Sequence, residues 1–271
     1  METMTNLHIS QHALEQWLYQ MVNSKIEVFA PVHDGEKTDF RLLAFGDKVA
    51  DDYVQTTQSA KRFAFPKAEK LFSYRKEGKD VTLQERNLND FPEIVLWKVR
   101  PCDAAGFAPL TGIFNWDYKD NIYNARRDKI TLVSFSCTRC DEYCFCTSVH
   151  GGPGNTEGSD IQVTELPDRS ALVEILTPKG KSLIERFVQE TTPADGIDKE
   201  AYLASVPVRF QLEQLHEKLE GAFDSSIWKQ QSERCLGCGA CAFVCPTCAC
   251  FDIQEDARGS SGSRIRCWDS C

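Results

Sequence analysis

The feature that most constrains this chain is a run of four cysteines near its end. Cys235, Cys238, Cys241 and Cys245 are followed at once by Pro246. The spacing is C-x2-C-x2-C-x3-C-P, the ferredoxin pattern in which thiolates two residues apart wrap a cubane iron–sulfur cluster. A tight loop of this kind turns each sulfur inward. Gly237 and Gly239 let the backbone approach, so that amide N–H groups can reach the sulfides. The fourth cysteine of such a run normally ligates the other cluster of a two-cluster pair. Zinc modules set their C-x-x-C pairs further apart. A thioredoxin-type reading of Cys245 and Cys248 needs a strand-to-helix context that these crowded cysteines do not offer.

The run belongs to a larger pattern. The chain holds 13 cysteines, none of them before Cys102; five lie from Cys102 to Cys146 and eight from Cys235 to Cys271. The first residues show no basic segment leading into an apolar one, so no secretory leader is expected and a reducing, cytoplasmic setting is. Clustered thiols in such a compartment hold metal or do redox work rather than form disulfides. Cys248, Cys250, Cys267 and Cys271 bring the tail to eight thiols, the arithmetic of two 4Fe–4S clusters. Their spacing is not a second ferredoxin run, so one cluster with spare thiols fits equally well.

The middle group is Cys137, Cys140, Cys144 and Cys146, with Cys102 upstream. Two ligand sets are open: the four local cysteines, or Cys102 with Cys137, Cys144 and Cys146, leaving Cys140 spare. Cys102 and Cys137 each follow a predicted strand. If those strands are neighbours, the two thiols meet at one sheet edge. The glycine-rich turn at 151–154 either approaches a cluster or is simply a tight turn, and zinc is an alternative occupant.

The rest of the sequence narrows the class. Lys plus Arg is 31 and Asp plus Glu is 40, a net charge of −9 that disfavours nucleic-acid binding. The longest apolar runs, 94–97 and 130–135, are strand-sized, so no membrane span is expected. There is no P-loop, no G-x-G-x-x-G and no H-E-x-x-H, and the five histidines are scattered. His150 beside the middle cysteines reads as an ordinary loop residue.

Helices are predicted at 10–22, 66–72, about 104–110, 181–190, 199–205 and 208–223, and strands at 25–30, 41–45, 93–99, 129–136, 161–166 and 171–177. Leu212, Leu215, Leu219 and Phe223 form a helical stripe that reads as core packing. The Gly/Ser stretch at 258–264 reads as a flexible loop, or one ordered by a partner. The expected fold is an α+β or α/β N-terminal body (1–200) carrying one cysteine cluster. A helical connector (201–231) then leads to a small ferredoxin-like module (232–271).

Several motifs occur in a fixed order: PKAEKLF at 66–72, RPCD at 100–103, D-x-x-Y at 120–123 with Arg126 and Arg127 after it, CFCTS at 144–148, GPG at 152–154, RCLGCGACAFVCPTC at 234–248 and WDSC at 268–271. This set resembles the iron–sulfur electron-transfer subunits typified by those of anaerobic sulfite reductase and by the β subunit of cytoplasmic sulfhydrogenase-type NiFe hydrogenases. The resemblance covers almost the whole chain. It implies a non-catalytic subunit relaying single electrons between a flavin- and NAD(P)-binding partner and a terminal reductase or hydrogenase.

The resemblance also implies three 4Fe–4S clusters in such a subunit, two in the ferredoxin module and one in the body. Carried onto this sequence, the body cluster favours Cys102, Cys137, Cys144 and Cys146. Family chains usually continue past WDSC to a second ferredoxin run, so the module here reads as truncated, with two or three clusters. Cys140 and Cys267 are extra to the family pattern. A zinc-stabilised adaptor and an iron–sulfur enzyme with an open-site cluster are the alternatives.

Overall fold

The computed structural model describes residues 5–270. Its strands are β1 (Thr5–Ile9), β2 (Glu27–Asp34), β3 (Lys37–Leu42), β4 (Ala68–Glu77), β5 (Asp80–Glu85), β6 (Ile94–Val99), β7 (Ile130–Phe135), β8 (Ile161–Glu165), β9 (Ala171–Ile175), β10 (Thr192–Pro193), β11 (Phe251–Arg258) and β12 (Ser261–Trp268). Its α-helices are α1 (Gln11–Val22), α2 (Pro101–Ala105), α3 (Phe107–Ile113), α4 (Asn121–Asp128), α5 (Pro178–Phe187), α6 (Leu212–Glu220), α7 (Ser226–Ser232) and α8 (Ala240–Val244). The body is therefore mixed α/β, as the sequence pattern indicated. Among the described residues no helix is long and apolar enough to cross a membrane.

The main sheet runs in the order β10-β1-β9-β8-β7-β6-β2-β3. Its centre, β2-β6-β7-β8, is parallel, and the strands outside it pair antiparallel. β6 and β7 are buried along their whole length, because helices and loops cover both faces. Val95, Trp97, Val133 and Phe135 pack with Trp17 and Met21 of α1 and Leu183 and Ile184 of α5. Ser10 caps α1 by accepting from Ala13 N at 3.2 Å, and Trp17 meets Trp97 edge to face at 4.7 Å. Leu96, Leu132, Leu110 and Tyr123 form a second core with Phe65 and Trp268.

A smaller antiparallel sheet, β11-β12-β4-β5, joins the chain's last strands to its body. Here the structure corrects the sequence reading. Segment 66–72 is not a helix but the start of β4, which pairs with β12 on one side and β5 on the other. Pairing with strands far away in sequence overrides a weak local preference. Segment 258–264 is not a flexible loop. Arg258 pairs with Ser261, so only Gly259 and Ser260 turn the chain, with Gly259 at φ +62°. Segment 199–205 forms only a 3-10 turn, Lys199–Tyr202.

One buried charge cluster ties this small sheet down. Glu69 of β4 pairs with Arg126 of α4 and with Arg266 of β12, the latter at 2.5 Å. Arg266 also bonds Asp120, which caps α4 by accepting from Tyr123 N at 2.8 Å. A strand at 68–77 turns Glu69 inward to meet both guanidinium groups.

The stripe at 212–223 is a further correction. α6 has no buried residue, and Leu215, Leu219 and Phe223 are exposed. Helical spacing marks an apolar face, but it does not supply the surface that would cover it.

Candidate iron–sulfur sites

The two cysteine groups are positioned in different ways. β6 and β7 are parallel neighbours, as the convergence of Cys102 and Cys137 required. Cys102 lies in α2 directly after β6, and Cys137 follows β7. Both thus stand beyond the carboxyl ends of adjacent strands, where open α/β sheets bind ligands. The loop from Cys137 is then pinned at several points. Cys137 N donates to Pro153 O at 2.9 Å, which brings the glycine-rich turn over the loop. Ala204 N donates to Cys137 O at 2.7 Å. Arg209 Nε donates to Cys144 O at 2.7 Å and Arg209 N to Ser148 Oγ at 2.8 Å. Cys146 opens a 3-10 turn, Cys146–Val149, and its carbonyl accepts from Gly151 N at 3.0 Å. Cys140 Sγ instead donates to Ser205 O at 3.4 Å. The start of the expected connector therefore straps the body cysteines. Sequence reasoning missed Arg209, because an exposed arginine in a loop carries no spacing signal.

The electrostatics of this site oppose free thiolates. Burial raises the Cys137 thiol to about 11, with Cys146 and Cys144 adding to the rise and Arg100 opposing it. Burial also raises Cys102, Cys144 and Cys146. Asp103 is pushed up to about 6 by burial, against the pull of Arg100. These partly buried thiols, with Cys140 also acting on Cys144 and Cys146, disfavour one another's negative charge and suit a positively charged metal core, which draws out their protons on binding.

The tail run is held more lightly. Cys235, Cys238 and Cys241 are exposed, the first two on the loop leading into α8 and Cys241 in its first turn. Gly237 and Gly239 both take positive φ, +65° and +68°, and Gly237 N reaches Cys235 Sγ at 3.4 Å. The glycines thus bring a backbone amide onto a cysteine sulfur of the loop itself. Burial works against a Cys245 thiolate, but hydrogen bonds from Thr247 and Cys248 outweigh it and hold Cys245 below the ordinary cysteine range. Cys248 in turn is pushed up to about 11, by burial and then by Cys245. Cys250 immediately precedes β11, and its carbonyl accepts from Asp269 N at 3.1 Å. Cys267 lies within β12, opposite Asp252 and Ala68. Cys271 lies outside the described residues.

Three body contacts seat the run. Trp268 Nε1 donates to Phe65 O at 3.1 Å, and its ring lies 5.3 Å from that of Phe243 in α8. The buried Lys61 donates to Ala242 O at 2.7 Å and Cys248 O at 2.9 Å. Pro246 abuts Gly106, where a Cβ would stand 2.8 Å from Pro246 Cβ. Gly106 N donates to Cys102 O at 3.2 Å, one helical turn from Cys102. Four residues of helix span only about 6 Å, so the backbone at the end of the run packs about one helical turn from that of Cys102.

The thiols are gathered into two neighbourhoods rather than closed into ligand shells. Among the described residues no three Cys, His, Asp or Glu side chains converge closely enough to hold a metal ion. The donor set itself, all sulfur at both places, suits iron–sulfur clusters or zinc and no hard cation.

Comparison with known proteins separates these at the tail. Residues 234–271 match the family model described as a 4Fe–4S dicluster domain. The chain is 31% identical over 252 residues to sulfhydrogenase 2 subunit beta of Pyrococcus furiosus, a match spanning 90% of this chain and 73% of that one. No solved structure matches it.

Proposed function

The chain belongs to the family of sulfhydrogenase β subunits, and we propose that it is an electron-transfer subunit of a multi-subunit redox complex. Its 4Fe–4S clusters, two or three in number, relay single electrons from a partner that binds flavin and NAD(P) to a terminal reductase or hydrogenase subunit, or back. Cys102, Cys137, Cys144 and Cys146 hold the body cluster. Cys235, Cys238 and Cys241 hold the cluster of the run, and Cys245 serves as the fourth cysteine of the motif. Cys248, Cys250 and Cys271 are the remaining candidates, while Cys140 is spare. When bound, the clusters supply reversible one-electron chemistry at potentials set by burial and N–H···S bonds.

The observation that carries this reading is the packing of Pro246 on Gly106. The end of the ferredoxin run packs about one helical turn from Cys102, which supports a relay running from one sulfur-rich group to the other. The turn of Cys140 toward Ser205 supports leaving it out of the ligand set. The chain's own residues orient the sites: β6 and β7 fix two thiols, Arg209 and Pro153 fix the loop, and Lys61 and Trp268 seat the run.

The test is iron, zinc and acid-labile sulfide per chain in anaerobically purified protein, with an EPR spectrum after dithionite reduction. The expected result is about eight to twelve irons matched by sulfide, with signals of interacting reduced cubanes. Zinc without sulfide would replace the electron relay with a structural adaptor.

A further inference from the structure

The buried basic side chains divide into two kinds. Lys98 pairs with Asp51 and Glu165, and Arg126 and Arg266 share Glu69. Lys61 has no such partner. It is 2% exposed, and its ammonium group bonds only the carbonyls of Ala242 and Cys248 while lying 4.4 Å from the centre of the Trp268 ring. Among the described residues no carboxylate stands within ion-pair distance of it. A buried lysine without an anion is costly and rare, since carbonyl dipoles and an aromatic face do not neutralise a full charge. Burial pulls Lys61 below the ordinary lysine range, and the charge-bearing groups that face it, the thiols of Cys248, Cys245 and Cys250, act in the opposite direction and favour its charged form.

The missing anion is therefore on the cysteine side. We propose that Lys61 is the built-in counter-ion of the tail's iron–sulfur cluster, holding the reduction potential of that cluster up. This rests on the electron-transfer reading above. A thiolate-ligated cluster is anionic, and each reduction adds one electron from the flavin-bearing partner and hence one more negative charge. No bond forms or breaks, Lys61 keeps its proton, and the electron leaves again to the terminal subunit. A fixed cation in a low-dielectric setting stabilises the more negative, reduced state. Lys61 comes from the body, in the 3-10 turn Ala60–Phe63, so the run gains its counter-ion only when seated on the body. Arg100 stands in a similar place at the body site, bonding the Tyr53 and Val54 carbonyls beside Cys137, but the acidic Asp103 lies close to it.

The experiment compares the full-length wild type, Lys61→Met and Lys61→Arg. Iron and sulfide are counted in each, and the potentials are read by EPR-monitored redox titration. In Lys61→Met the reduced-to-oxidised ratio of the tail cluster should fall about tenfold at a given ambient potential, a midpoint about 59 mV lower for a one-electron couple. Lys61→Arg should restore it, and the body cluster should not move. Loss of tail iron in Lys61→Met but not in Lys61→Arg would also support the proposal. An iron-replete Lys61→Met that titrates as wild type would overturn it, as would equal loss of iron in both variants, since Arg keeps the charge. A wild-type chain without iron would instead overturn the electron-transfer reading itself.

Discussion

The body cysteines and the tail cysteines solve one problem by opposite means. The body site is set by the sheet: two of its cysteines follow adjacent buried strands, and the connector straps the loop that carries the others. The tail site is a short loop with exposed cysteines that leans on groups it does not own, namely Lys61, Phe65 and Gly106. A ferredoxin run thus supplies its own ligand spacing but not its own surroundings. Spacing is local and readable, whereas burial and counter-charge are borrowed from the body.

Breaking the borrowed attachment should have the largest effect. Glu69→Ala leaves Arg126 without its carboxylate and Arg266 with Asp120 alone. A buried pair broken on one side costs about 3–5 kcal/mol, so urea unfolding should show a loss of that size. Amide exchange should accelerate in β11 and β12 before it does in β6 and β7. Next comes the contact between the sites. Alanine in a helix ordinarily gains about 1 kcal/mol over glycine. At Gly106 the added Cβ would meet Pro246 at 2.8 Å and Asp103 O at 3.3 Å. Gly106→Ala should therefore destabilise by about 1–3 kcal/mol, checked by thermal unfolding.

A smaller effect belongs to the strap. Arg209→Ala removes a bond to the Cys144 carbonyl and a longer one to that of Asp141, together worth about 1 kcal/mol. Faster exchange confined to residues 137–150, with little change in global stability, would sharpen the view that the sheet rather than the connector sets the body site. The smallest change is expected at Leu219→Ser. With Leu219 48% exposed, stability should stay within about 0.5 kcal/mol of wild type. A loss of about 2–5 kcal/mol would mean that the stripe is core after all.

Legibility in the sequence follows the same division. The strands leading to Cys102 and Cys137 read correctly because full burial on both faces writes itself as a continuous apolar run. The 4Fe–4S character of the run and the positive φ of its two glycines are legible because the motif's spacing is local. β4 does not, since Pro66 and the apolar spacing after it fit a helix, and only its remote partner β12 makes it a strand. The turn at Gly259 and Ser260 has a readable hairpin signal that its low complexity masks. Lys61 has no signal at all: it is one more basic residue until the fold sets it beneath the Cys248 carbonyl. Asp120 is no more legible: no helix is predicted over 121–128, so neither its cap on α4 nor its pairing with Arg266 can be read from the sequence.

The most direct test of two separately built sites is a side-by-side comparison of Cys137→Ser and Cys241→Ser, scored by iron content and EPR. Each variant should lose roughly four irons and only its own signal, the other site remaining filled. Retention of all iron in either variant, or loss of both signals from the Cys241→Ser chain, would refute separate construction.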